Sequence, residues 1–235
     1  MTTCKRISLI ALLSIAVAGV ISPSAHAAAT RYITVSAQGT VKVVPDAVRI
    51  NATATSVAAT SKEALAATAK TATAVRAALK TAKIDTKDIA TQSVSVYPEY
   101  KYTNDGSSTL TGYRGSQSFT ITVRAADTAG SLVDALVLAG GDNLQINGAT
   151  PFVLDSTKSL EAARAAAVKS AKAKATSYAK LMGVKLGKVN YLVENSSPTN
   201  YTPVMAVAKA ESDATVIDLG QQDVSISVTV QWSLL

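Results

Sequence analysis

Polarity alternates with a period of two from Tyr113 to Arg124. Tyr113, Gln117, Phe119, Ile121 and Val123 fall on one side, and Arg114, Ser116, Ser118, Thr120, Thr122 and Arg124 on the other. Successive side chains of a strand point to opposite faces, so this is a strand with one face in a core and one in water. Val224, Ile226, Val228, Val230 and Trp232 alternate in the same way with Ser225, Ser227, Thr229, Gln231 and Ser233, as do Val48, Ile50, Ala52 and Ala54 with Arg49, Asn51, Thr53 and Thr55. Strands wetted on one side belong to antiparallel sheets, because parallel sheets are covered on both faces. Val94, Val96, Pro98, Tyr100 and Tyr102 pair naturally with the segment from Tyr113 to Val123 across the turn-rich Asn104-Asp105-Gly106-Ser107-Ser108, which gives a long hairpin.

Three helices fit between the strands. In the first, Leu65, Thr68, Ala72, Val75 and Leu79 recur at spacings of three and four and form a narrow apolar stripe. The second is expected to take Asp127 as N-cap, turn Leu132 and Leu136 inward and stop at Gly140-Gly141. The third opens after Asp155-Ser156, runs to Met182 on a body of Ala, Lys and Arg, and ends at Gly183. Further strands are expected near Tyr32 to Val44, Leu144 to Leu154 and Lys185 to Glu194. The expected class is therefore α+β: mostly antiparallel sheets with helices packed on one face. The order strand, helix, strand, strand occurs twice, as two βαββ-like halves joined by the second helix. Asn195 to Gly220 has little periodicity and is expected to be a long loop, about 195–220.

The first 27 residues carry a separate signal. Lys5 and Arg6 precede an apolar run from Ile7 to Ile21, and Ser24-Ala25-His26-Ala27 offers a small-residue cleavage site. The run is shorter than the roughly 20 residues that cross a bilayer, so residues 1–27 are expected to be a cleavable secretory signal, with the domain following over 30–235. Cys4 and His26 are the only cysteine and histidine in the chain. Cleavage after Ala27 removes both, and with them disulfides, a Cys nucleophile, a His base and the usual zinc, iron–sulfur and haem ligands. No cofactor or metal site is expected. About 208 residues remain, enough for a core without disulfide staples. Loss of Lys5 and Arg6 lowers the net charge from +7 to about +5. The expectation is an extracytoplasmic chain, secreted or periplasmic, with no transmembrane segment once cleaved and no nucleic acid as partner.

The motifs with chemical overtones fail on context. Ser177-Tyr178-Ala179-Lys180 matches the S-x-x-K of serine acyl-enzymes, but its serine sits near a helix end rather than opening one, and K-T-G is absent. Gly183 to Lys188 has three residues between its glycines where a phosphate loop needs four. Two carboxylates alone can run a glycosidase, yet Asp46, Asp85, Asp88, Asp105, Asp127, Asp142 and Asp155 all fall at caps or turns. Glu211 and Asp213 sit in the late loop, where a solvated pair is the expectation. Tyr97, Tyr100, Tyr102 and Tyr113 share the hairpin and are the candidate interface residues, since tyrosine serves contacts that are apolar at one end and wet at the other. Alternation places Tyr100, Tyr102 and Tyr113 on the apolar face. Lys169, Lys172 and Lys174 on the third helix are the candidate contacts for an anionic polymer.

Several segments, in order along the chain, resemble the SIMPL domain family of bacterial envelope proteins. Ile33 to Val41 followed by Val44-Pro45-Asp46-Ala47 resembles its strand-glycine-strand opening, although Ala37 stands where glycine is usual. Gly112-Tyr113-Arg114 is similar to the family's entry into the middle strand, and Ala139-Gly140-Gly141 to its exit from the middle helix. Ala162-Ala163-Arg164-Ala165-Ala166-Ala167, Lys174-Ala175, Gly183, Leu186-Gly187 and Val189 resemble its alanine-rich helix and the exit from that helix. The resemblance spans Ile33 to Trp232 and implies an extracytoplasmic α+β domain that forms homo-oligomers, in some members linked to envelope or oxidative-stress phenotypes. It supplies no catalytic residues. The expected function is a non-enzymatic envelope component; a module binding glycan or an anionic cell-envelope polymer is the alternative, and a carboxylate-dependent hydrolase the second.

Overall fold

The computed structural model describes residues 31–104, 106–195 and 214–235. The expected signal, residues 1–27, and most of the expected loop lie outside them. The strands are β1 (Tyr32–Val43), β2 (Ala47–Ala58), β3 (Ile89–Tyr102), β4 (Ser108–Val123), β5 (Leu144–Phe152), β6 (Leu186–Asn195) and β7 (Gln222–Leu234). The helices are α1 (Ser61–Thr81), α2 (Ala129–Gly140) and α3 (Thr157–Leu181). They form two antiparallel sheets, ordered β3-β4-β2-β5 and β1-β7-β6, which is the α+β architecture expected.

The βαββ order appears twice, as β2-α1-β3-β4 and β5-α3-β6-β7, but the pairing does not repeat. β5 joins the first sheet beside β2. Its place in the second sheet is taken by β1, which runs against β7 from Tyr32 opposite Ser233 to Val43 opposite Gln222. Val44, Pro45 and Asp46 carry the chain from one sheet to the other, and Pro45 brings no N–H that could continue a ladder. Two polar contacts fasten this corner: the Leu154 amide donates to Asp46 Oδ1 at 2.8 Å, and Gln222 Nε2 donates to the Pro151 carbonyl at 2.8 Å.

Each sheet is covered on one face. α1 lies across β4 and β2 and α2 packs beside it, enclosing Val48, Ile50, Val75, Leu79, Phe119, Ile121 and Leu136. α3 lies across β1 and β7 and encloses Val35, Val224, Ile226, Val228, Val230 and Trp232. Its buried positions are all alanine: Ala163, Ala167, Ala171, Ala175 and Ala179. Alanine permits close approach, and Gly39 of β1 completes it. A Cβ at Gly39 would lie 2.2 Å from both the Ala163 carbonyl oxygen and the Ala167 nitrogen. The first layer repeats the device, since a Cβ at Gly115 of β4 would come within 2.7 Å of the Ala64 carbonyl oxygen.

That second contact corrects the stripe expected for α1. Ala64, not Leu65, faces the sheet, with Thr68, Thr71, Ala72, Val75 and Leu79; Leu65 is exposed. Over Gly115 the helix is too close for a leucine, and the buried Thr68 hydroxyl turns back to donate to the Ala64 carbonyl at 2.9 Å. α1 opens with a capping box between Thr60 and Glu63. α2 starts one residue later than expected, with Thr128 at the cap, because Ala126–Thr128 form a 3₁₀ turn that absorbs Asp127. The end of the expected loop is anchored: Thr215 donates to Asp134 of α2 from its amide (3.1 Å) and its hydroxyl (2.6 Å), and Ile217 and Leu219 pack on the first core.

Candidate functional site

The hairpin of β3 and β4 forms as expected, with Val94 opposite Gln117 and Pro98 opposite Tyr113. Its tyrosines do not enter the core. Tyr97 and Tyr100 are each 47% exposed and Tyr102 is 77% exposed, while Tyr113 is half-buried. For Tyr100 and Tyr102 the reason is the length of β2. Its pairing with β4 ends at Ala58 opposite Tyr113, so the rows beyond, Tyr100 with Leu110 and Tyr102 with Ser108, form a two-stranded ribbon past the end of the sheet. A register break between Glu99 and Tyr100 marks the start of this overhang, where the Thr111 hydroxyl donates to the Glu99 carbonyl at 3.0 Å. Tyr97 stands opposite Arg114 on the outer face, beside the ion pair of Arg114 with Glu99. The structure thus gathers Tyr97, Tyr100 and Tyr102 on one projecting, solvent-exposed edge hairpin.

The three candidate lysines of α3 are not gathered. Lys169 and Lys172, three residues apart, are exposed and share the outward side. Lys174 lies on the β1 flank and donates from Nζ to the Ser36 carbonyl at 3.2 Å. On the other flank Arg164 Nε donates to Glu194 Oε2 of β6 at 2.9 Å.

Four of the candidate carboxylates, Asp46, Asp85, Asp88 and Asp155, have structural partners. Asp46 accepts the Leu154 amide, Asp85 pairs with Lys87 at 2.8 Å, and Asp155 accepts the Thr157 amide at 2.9 Å. Hydrogen bonds from Thr157 hold the Asp155 carboxyl below its ordinary range. Asp127 and Asp142 lie in 3₁₀ turns, and Asp105, Glu211 and Asp213 lie outside the described residues. Among the described residues no group of three or more His, Cys, Asp and Glu is placed to hold a metal ion. Ser177 is exposed near the C-terminal end of α3 rather than at its N-terminus.

Asp88 has the most structured environment of these acids. Its side chain is only 8% exposed and takes a fork of two hydrogen bonds from Arg124, Nε to Oδ2 at 2.7 Å and Nη2 to Oδ1 at 2.8 Å. That fork keeps its carboxyl below the ordinary carboxylate range. A carboxyl depressed in the folded state stabilises above the unfolded value of about 4, and the contribution disappears as pH falls through the folded value. Asp88→Asn is therefore expected to melt below the wild type at neutral pH. The gap should close progressively below about pH 4, in thermal scans across the acid range. A gap independent of pH would contradict the ion pair.

The chain is 31% identical over 131 residues to the uncharacterized protein YggE of Edwardsiella ictaluri (strain 93-146), covering 53% of each chain. It is 30% identical over 157 residues to the 26 kDa periplasmic immunogenic proteins of Brucella melitensis biotype 1 and Brucella abortus (strain S19), covering 61% of each. The matched region is thus half to three fifths of the length of these curated relatives. The model of a family of unknown function, SIMPL (DUF541), matches residues 33–232, from the start of β1 into β7 and across both sheets, and the chain belongs to that family.

Proposed function

We propose that this chain is an extracytoplasmic, non-catalytic envelope protein that assembles with further copies of itself through the tyrosine-bearing hairpin. Export is supported by the charged, apolar and small-residue pattern of residues 1–27 and by relatives named as periplasmic. Among the described residues no helix is long and apolar enough to cross a membrane. Among the described residues, Asp46, Asp85, Asp88, Asp155, Glu99 and Glu194 are occupied with turn contacts and ion pairs rather than facing one another across a cleft. Such an assembly, acting in bulk rather than by turnover, suits a role in tolerance of envelope or oxidative stress.

The observation that carries the reading is the overhanging ribbon. Tyr100, Tyr102 and Leu110 on the ribbon, with Tyr97 on the outer face of β3 beside it, present apolar surface to water at the edge of the sheet, and tyrosine is enriched where such surface becomes an interface. Continuous strand-to-strand pairing along β3 is obstructed by an extra residue at Gln92, a second register break beside Tyr100 and the missing N–H of Pro98. Contact therefore runs through side chains. In sedimentation velocity, Tyr100→Lys with Tyr102→Lys should convert the assembly to monomers while the far-ultraviolet circular dichroism stays unchanged, because neither residue is in a core. An assembly that survives both changes contradicts the hairpin as the contact.

A second reading, binding to an anionic envelope polymer, is favoured by Lys169 and Lys172, which are exposed and have no carboxylate partner among the described residues. It predicts salt-sensitive retention on cell-wall material that is lost in Lys169→Ala with Lys172→Ala.

A further inference from the structure

The last two turns of α1 and the start of β3 enclose a groove of about 530 Å³ lined by Arg76, Lys80, Ile84, Thr86, Ile89 and Thr91. That is within the size range of small-molecule sites. Its lining divides by chemistry into half-buried Ile84 and Ile89, two cations and two hydroxyls. Ile84 is set in place by the way α1 ends. Its amide donates to the Leu79 carbonyl and the Lys83 amide to the Lys80 carbonyl, both at 3.0 Å, with Lys83 in the left-handed region at φ 59°. α3 ends with the same pair of bonds but uses Gly183 at that point, φ 69°, where the absence of a Cβ avoids crowding.

Arg76 is held in position before any ligand arrives. Its guanidinium carbon lies 5.2 Å from the centroid of the Phe119 ring, and Nη2 donates to Thr91 Oγ1 at 3.2 Å. A guanidinium has five N–H groups, so most of its donors remain available. Lys80 is one helical turn further on and lines the same groove. The nearby acids do not neutralise them, since Asp85 is paired with Lys87 and Asp88 with Arg124. Two cations without carboxylate partners among the described residues, flanked by two hydroxyls, match an oxyanion that takes several charge-assisted hydrogen bonds. The isoleucines match an organic group attached to it.

We infer that this groove binds a phosphate ester, its phosphate between Arg76 and Lys80 and its organic part on Ile84 and Ile89. This does not rest on assembly through the hairpin, which lies at the other end of β3. The same chemistry is offered by a free organophosphate and by a phospholipid head group. The test is titration of the full mature chain, followed by amide chemical shifts, with butyl phosphate and with inorganic phosphate, and sedimentation with phosphatidylglycerol or phosphatidylcholine vesicles. Saturating shifts at Thr86, Ile89 and Thr91 are expected, with butyl phosphate binding more tightly than inorganic phosphate. Arg76→Gln and Lys80→Gln should each weaken binding roughly tenfold. Lys80→Gln leaves the stacking of Arg76 on Phe119 intact, so its effect is not one of folding. Binding to free butyl phosphate alone assigns a soluble ligand; binding to phosphatidylglycerol vesicles that the same substitutions abolish assigns a head group. The inference is overturned if no probe binds, if both variants bind as the wild type does, or if inorganic and butyl phosphate bind equally.

Discussion

Gly39→Ala is expected to destabilise the protein by about 3 kcal/mol, at the upper end of what overpacking costs, because nothing around the new methyl group can give way. It would stand 2.2 Å from the Ala163 oxygen and the Ala167 nitrogen, both backbone atoms in the middle of a 25-residue helix. Side chains swing aside at little cost, but here α3 must shift as a unit. Every shift opens gaps under Ala163, Ala167, Ala171 and Ala175, which touch the sheet with nothing longer than a methyl. Trp232, the only tryptophan, lies 4% exposed in the same core and reports the layer directly by fluorescence. The melting temperature read from it should fall by roughly 6–12 °C. A loss under about 1 kcal/mol would mean that the helix does not lie on Gly39.

Phe119→Ala should cost about 3–5 kcal/mol in the other layer, the usual range for emptying a large buried aromatic site. Phe119 is 1% exposed and is the largest fully buried side chain among the described residues. On one strand it faces Ala52 across the ladder, a neighbour too small to fill the space. Its loss also removes the ring under the Arg76 guanidinium, so stability and the shape of the cationic groove should fail together. Leu65→Ala is the matching control. Leu65 points to solvent, so its truncation should stay within about 0.5 kcal/mol, whereas a leucine in the core would cost several times more. Chemical denaturation followed by circular dichroism compares the two.

The one-sided strands were legible in the sequence because burial on one face leaves an unmistakable period of two, and β2, β4 and β7 lie where that period places them. What the period cannot show is pairing between distant strands. Nothing local to Tyr32–Val43 says that it closes the second sheet against β7 at the far end of the chain. α3 hides its buried face for a different reason: when nearly every candidate position is alanine, the helix itself does not distinguish one stripe from another. The choice is made by Gly39. The misplaced Leu65 has the same root, since preferring the largest apolar side chain as the inward one ignores how near the sheet stands. Gly115, a glycine inside an alternating strand, was the available signal of close approach.

The candidate site was legible as composition but not as placement. Four tyrosines on one hairpin could be read from the sequence, yet the exposure of Tyr100 and Tyr102 depends on β2 stopping at Ala58, which is a property of the sheet. The lysines of α3 looked like one cluster and divide between two sides of the helix. Arg76 and Lys80 carry no distinguishing signal in the sequence, because basic residues toward the end of a helix are common there, where they complement its dipole. Only the fold reveals that they share a groove with Thr86 and Thr91.

Assembly is the claim on which the proposed function stands, and the mass of the particle tests it most directly. Light scattering on the chain purified without its first 27 residues, at micromolar concentration, is expected to give a stable multiple of the subunit mass, which is itself below the 24.1 kDa of the full chain. A single-subunit mass under those conditions would contradict it.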